Sequence, residues 1–195
     1  MIFKDSKIAH KYLDGLTGIE IGSAKHNPFN IANCKFVDAP NNENWIDLDK
    51  SLCSEHLKPD YIAYGDDLPF EDGSLDYVLT SHVMEHFWNP IKAILEHLRV
   101  IRAGGIVFAI VPHKDRTDEP RAVSGVSELV DRFENKIVAP DPVGLCEHYS
   151  VWKTEDYVEL CQYIKDKFEF DFTITSHTVD DKVENGFIVI LSKSK

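Results

Sequence analysis

Four of the nine histidines stand where an imidazole could move a proton. His82 and His86 lie in SHVMEHFWNP (81–90). His113 opens HKDRTDEPR directly after the apolar run IVFAIVP, and His148 lies in EHYSVW. An imidazole titrates near neutral pH, which makes each of the four a candidate general base. Around His113, the side chains of Asp115, Arg116 and Arg121 form a polar strip suited to substrate contact. In a chain with a formal net charge of −12, the two arginines could pair with a carboxylate or phosphate. His113, Asp115, Asp118, Glu147 and His148 are also of metal-ligating type, but their spacing imposes no metal site and none is expected.

A second set of residues, earlier in the chain, suits a nucleotide-like ligand. In EIGSAKH, Gly22 is followed by Ser23 and Ala24, small residues that let backbone N–H groups approach a ligand closely. Asp38 ends FVD, where a carboxylate can accept two hydrogen bonds from a ribose diol or can simply form a turn before Pro40. In GDDLPF, Asp66 or Asp67 could accept from the exocyclic amine of an adenine, with Leu68 over a face of the ring.

These residues need elements to position them. Short apolar strands are expected at 19–22, 35–39, 61–64 and 75–80. Asn89 can cap a helix that has Pro90 at its first position. Ile91, Ile94, Leu95, Leu98 and Ile101 recur at helical spacing, and the pair Gly104-Gly105 is expected to stop that helix. The unbroken run 106–111 predicts a central strand covered on both faces. A short helix is expected near 127–133, and Thr154 is expected to cap another. FEFDFTI (168–174) alternates like a half-exposed strand, and 186–191 is a final apolar strand. The loop 176–185 is too short for a crossover helix, so these last two strands should pair antiparallel. Only about one helical turn, or a loop, fits between Gly22 and the strand ending at Asp38. The order describes an α/β chain: a Rossmann-like, doubly wound sheet of about seven strands, with ligands at the carboxyl ends of its strands.

Composition narrows the function classes. The chain has 195 residues, 43% of them hydrophobic, and reads as one domain, 1–195, with 113–150 as a substrate-side insertion after the fifth strand. The acidic balance argues against nucleic acid and against an anionic membrane surface as partners. Cys34, Cys53, Cys146 and Cys161 make no C-x-x-C pair, which suits a reducing compartment, and no long apolar run is present. A cytoplasmic location is expected, with the chain a monomer or homodimer.

The order EIG with small residues, FVD, GDDLPFEDGSLDYV, SHVMEHFWNP and LRVIRAGGIVFAIVP resembles the class I S-adenosylmethionine-dependent methyltransferases, in the branch called methyltransferase type 11. Residues 68–105 carry its most specific part. The resemblance implies that Glu20, Gly22, Ser23 and Ala24 line the amino-acid end of S-adenosyl-L-methionine. It further implies that Asp38 holds the ribose, that Asp66 or Asp67 with Leu68 holds the adenine, and that Ser81 and His82 lie beside the sulfonium. The family pattern E/D-x-G-x-G-x-G departs here to EIGSAKH, with Ala24 in place of the second glycine, and the acidic segment before LPF is shorter than usual.

On that basis the expected reaction is methyl transfer to a hydroxyl or amine of a small molecule or glycan precursor, leaving S-adenosyl-L-homocysteine. His82, His113, His86 and His148 are the candidate bases. Two rivals remain: a non-catalytic S-adenosylmethionine-binding or scaffold protein with the same fold, and a nicotinamide-dependent oxidoreductase. The second lacks G-x-G-x-x-G.

Overall fold

The computed structural model describes residues 6–23, 29–40, 58–140, 147–177 and 184–195. A seven-stranded sheet runs through it. Its strands are β1 (Gly18–Ile21), β2 (Cys34–Asp38), β3 (Tyr61–Ile62), β4 (Leu75–Ser81), β5 (Ile101–Pro112), β6 (Phe172–His177) and β7 (Gly186–Lys193). Their spatial order is β3-β2-β1-β4-β5-β7-β6. The first five are parallel, and β7 runs antiparallel to both β5 and β6. The expected fold is therefore present, including the antiparallel closing pair.

The apolar runs in the middle of the sheet alternate between two cores. Val107, Ala109 and Val111 of β5, with Phe187, Val189 and Leu191 of β7, face one cluster. Phe108 and Ile110, with Ile188 and Ile190, face the other. The first is covered by α2 (Pro90–Val100), α3 (Val126–Phe133) and α4 (Thr154–Phe168), through Ile91, Ile94, Leu98, Leu129, Leu160 and Ile164. The second is covered by α1 (Ser6–Leu13), through Ala9 and Leu13, together with Phe29 and Ile31. Burial on both faces is why these strands read as continuous hydrophobic runs.

Several expected boundaries move, each for a local reason. Helix α2 begins as foreseen, with Asn89 accepting from Lys92 N at 3.0 Å. It ends at Val100, earlier than the glycine pair, because Ile101 is already extended and pairs with Leu75 of β4. Gly104 and Gly105 instead lie inside β5, where the pairing with β4 shifts register between Leu75 and Tyr77. Thr154 is the first helical residue of α4 and not its cap; Asp156 closes that end by accepting from Lys153 N at 3.0 Å. Phe168 belongs to α4 and stacks edge-on with Phe133 of α3 at 5.5 Å, so the alternation of FEFDF spans a helix end and a turn before β6 starts at Phe172. Glu169, in left-handed geometry with φ 56°, makes that turn. The helix α1 had no expectation attached to it. Between β1 and β2 no helix occurs among the described residues.

Candidate functional site

The carboxyl ends of β1, β2 and β4 bring Glu20, Asp38 and Ser81 to one edge of the sheet. Glu20 pairs across to Phe36 and Leu79, and Asp38 follows Val37, the partner of Ile21. Both carboxylates are buried, each 2% exposed. Gly22 leaves β1 with φ +69°, and its N–H donates to Val37 O at 2.9 Å. A Cβ there would lie 2.5 Å from Val83 Cγ2. Glycine is thus required twice at this position, by conformation and by the close approach of the segment after β4. The Ser23 hydroxyl is buried and has no hydrogen-bond partner among the described residues. Ala24 lies outside the described residues.

The loop after β3 is held from α2. His97 Nε2 donates to Gly65 O at 3.0 Å, and Glu96 Oε1 accepts from Leu68 N at 2.7 Å. Arg99 donates to Phe70 O at 2.8 Å, to Asp72 Oδ1 at 2.7 Å and to both oxygens of Glu96 at 2.7 Å. The Arg99 guanidinium holds the Glu96 carboxyl below its ordinary pKa. Burial pushes His97 down to about 4, so it sits neutral in the core. Asp66 pairs with Lys92 Nζ at 3.0 Å; Asp67 is exposed and its N–H donates to Tyr64 O. Leu68 is buried in the first core cluster. The LPF…LRV part of the motif is therefore a brace: three side chains of one helix fix the backbone of one strand-end loop.

After Ser81 the chain turns at His82, which is in left-handed geometry with φ 55° while its N–H donates to Ile110 O at 2.9 Å. A non-glycine residue there carries strain, about 1–3 kcal/mol for such conformations. The 3-10 turn Met84–His86 follows. Glu85 is 2% exposed, and its Oε1 lies 4.0 Å from His82 Nδ1 and 3.7 Å from His86 Nε2. Its carbonyl accepts from Tyr149 N at 2.7 Å and Ser150 N at 3.2 Å, clipping the segment after β4 to the one before α4. His86 Nδ1 meets Glu147 O at 3.1 Å, and the His86 and His148 rings stand edge-to-face at 4.9 Å. His148 Nδ1 meets Glu119 Oε2 at 3.0 Å. Burial draws the His86 pKa below the usual imidazole value, outweighing the raising effect of the Glu147 carbonyl.

The four candidate histidines therefore separate. His82, His86 and His148 gather around Glu85. His113 stands apart and caps the 3-10 turn Lys114–Arg116, its Nδ1 accepting from Asp115 N at 3.1 Å and its ring edge-on to Phe187. Burial lowers its pKa, with Arg116 adding to the effect, and the accepting Nδ1 puts the proton of the neutral ring on Nε2. Of the expected substrate-contact residues, Asp115 pairs with Lys153 at 3.0 Å, Arg116 donates to Gly186 O at 2.8 Å, and Arg121 pairs with Glu147 at 2.6 Å. The sequence alone does not single out Glu119. No local pattern marks it, since its partner His148 lies 29 residues away.

Residues 28–109 match the family model described as a methyltransferase domain. The match covers less than half of the chain and marks its similarity to methyltransferase domains over that stretch. A probable S-adenosylmethionine-dependent methyltransferase of Mycolicibacterium smegmatis is 31% identical over 75 residues, which is 35% of this chain and 29% of that protein. An uncharacterized protein of Methanocaldococcus jannaschii is 33% identical over 98 residues, 48% of this chain and 44% of its own length. The chain thus spans less than half the length of the curated relatives it matches. Among solved structures, a 1,6-didemethyltoxoflavin-N1-methyltransferase of Burkholderia thailandensis, with bound 1,6-didemethyltoxoflavin and S-adenosylhomocysteine, superposes with a TM-score of 0.59 at 13% identity. That alignment covers 98% of this chain and 77% of the other. No helix among the described residues is long and apolar enough to cross a membrane.

Proposed function

We propose that the chain transfers a methyl group from S-adenosyl-L-methionine to a hydroxyl or amine of a small molecule or glycan precursor. The observation that carries this is the pair of buried carboxylates, Glu20 and Asp38, at the carboxyl ends of adjacent strands, beside the buried Ser23 hydroxyl that has no partner among the described residues. This set fits the cofactor's amino-acid and ribose ends: ammonium and diol donors need acceptors, and a buried hydroxyl needs a partner. Gly22, Ser23 and Ala24 would line the amino-acid end, Asp38 would hold the ribose, and Asp66 or Asp67 with Leu68 would hold the adenine. Bound there, the cofactor supplies an electrophilic methyl on a sulfonium that leaves without needing an acid.

The chain's own residues then have three tasks. Gly22 and Ser81 fix the backbone around the methyl position. The segments 113–140 and 147–150 serve as the substrate side and exclude water. His82, oriented by Glu85, takes the proton from an acceptor hydroxyl, an effect typically worth about 100-fold or more. His82 is favoured over His86 and His148 because it directly follows Ser81 at the carboxyl end of β4, beside the expected methyl position.

Turnover tests this reading. Purified protein incubated with S-adenosyl-L-methionine and a panel of hydroxyl- and amine-bearing acceptors, including nucleotide-linked sugars, should release S-adenosyl-L-homocysteine with at least one of them. His82→Ala should lower kcat about 100-fold on a hydroxyl acceptor. Binding without turnover across the panel would instead support a non-catalytic binding protein.

A further inference from the structure

We infer that Glu85, His86 and His148 form a binding site for one divalent first-row transition-metal ion on the substrate side of the sheet. One donor atom from each of the three residues lies within 4.8 Å of the other two. Two imidazoles and a carboxylate are the ligand set favoured by zinc, iron(II), cobalt(II) and related ions. A tetrahedral ion about 2.1 Å from each donor holds its ligands about 3.4 Å apart, so closing around a metal requires side-chain shifts of roughly an ångström.

The hydrogen bonds behind the ligands argue more strongly than their proximity. His86 Nδ1 lies 3.1 Å from the Glu147 carbonyl, an acceptor only, so Nδ1 carries the proton and Nε2 the lone pair. That Nε2 lies 3.7 Å from Glu85 Oε1, a separation that a cation held between the two atoms would bridge. His148 repeats the arrangement with Glu119, which accepts from Nδ1 at 3.0 Å and leaves Nε2 as the donor atom. Imidazoles that bind metals usually donate their other N–H to a carbonyl or a carboxylate, and this cluster contains one of each. The frame is rigid where it must be: the Glu85 carbonyl holds both Tyr149 N and Ser150 N, tying the turn that carries Glu85 and His86 to the segment that carries His148. A buried carboxylate facing two imidazoles also supplies the negative charge that a divalent ion requires.

His148 and Glu119 also line a pocket with Pro112, Thr117, Ser150 and Val151 at the end of β5. An ion held by three protein ligands keeps positions open beside this pocket, where an oxygen of the methyl acceptor can reach it. That last step rests on the methyltransferase reading; the metal site does not.

Metal binding to the chelator-treated chain separates the two. Titrated with Zn²⁺ by calorimetry, and with Co²⁺ followed by visible absorption, the protein should bind one equivalent with micromolar affinity or better, and Co²⁺ should give the absorption of a nitrogen-ligated, low-coordinate ion. His148→Ala, at a partly exposed position, should fold normally and weaken binding at least 100-fold. Glu119→Gln should weaken it about 10–100-fold by freeing the His148 ring. His10→Ala, at a surface histidine on α1, should leave binding unchanged and so tests for adventitious capture. Absence of one-equivalent binding in the folded protein, or equal affinity in the wild type and His148→Ala, would overturn the site. A titration with S-adenosyl-L-methionine in the same metal-free buffer tests the cofactor reading separately.

Discussion

The two sides of the sheet's carboxyl edge are assembled in different ways. On the side proposed for the cofactor, Gly22, Asp38 and the loop 65–72 are fixed by backbone geometry and by Glu96, His97 and Arg99, all on one turn of α2. On the side proposed for the substrate, Glu85, His86, Glu119, Glu147 and His148 come from three separate stretches and meet only through tertiary contacts. A brace carried by one helix survives in a linear motif. A cluster made from three segments does not.

Breaking the brace should have the largest effect. Arg99→Ala removes hydrogen bonds to Leu68 O, Phe70 O, Asp72 and both oxygens of Glu96, and leaves Glu96, mostly buried, without its cation. Charged hydrogen bonds of this kind are worth about 1.5–3 kcal/mol each in the least redundant cases. Thermal unfolding should therefore show a loss of about 2–4 kcal/mol, with weaker S-adenosyl-L-methionine binding. His148→Ala, by contrast, should leave both nearly unchanged and lose turnover. Equal damage to cofactor binding from both variants would erase the difference between the two sides.

Gly22→Ala comes next. The left-handed φ and the close Val83 methyl should together destabilise by about 1–3 kcal/mol. Adding Val83→Ala should recover the steric part and not the conformational part, readable from denaturant midpoints. The pH dependence of stability sharpens the brace further. His97 is neutral in the fold, with its pKa pushed down to about 4 by burial. The unfolded chain takes up that proton near pH 6.5, so its contribution is complete above that value and falls as pH drops toward 4. Unfolding free energy should decline by about 1 kcal/mol per pH unit in this window beyond the response of a His97→Gln variant, which can still donate to Gly65 O. The smallest effect belongs to the exposed pair Asp66–Lys92: Lys92→Ala should change stability by no more than about 1 kcal/mol.

These contrasts explain what could be read from the amino-acid order. The seven strands, the antiparallel pair and the Asn89 cap follow from local patterns of apolarity and turn residues, and all are present. The end of α2 was misplaced because strand pairing of Ile101 with Leu75 overrides the helical spacing of its side chain. FEFDF alternates, yet its first phenylalanine is claimed by α4 through contact with Phe133, a residue 35 positions earlier that no local window contains. For the same reason His113 looked equivalent to the other histidines. Only the Nδ1 acceptance from Asp115 N, a backbone geometry, sets it apart as a cap. Glu119 and the gathering of His86 with His148 depend on how segments 113–140 and 147–150 fold back, which their composition does not encode.

The most direct measurement is a calorimetric titration of the folded wild-type chain, and of Asp38→Ala, with S-adenosyl-L-methionine. The wild type should bind one equivalent well below millimolar concentration, and the loss of a buried carboxylate that accepts from a diol should weaken that binding about 10–100-fold. No heat of binding in folded wild-type protein, or an Asp38→Ala affinity equal to the wild type, would contradict the account.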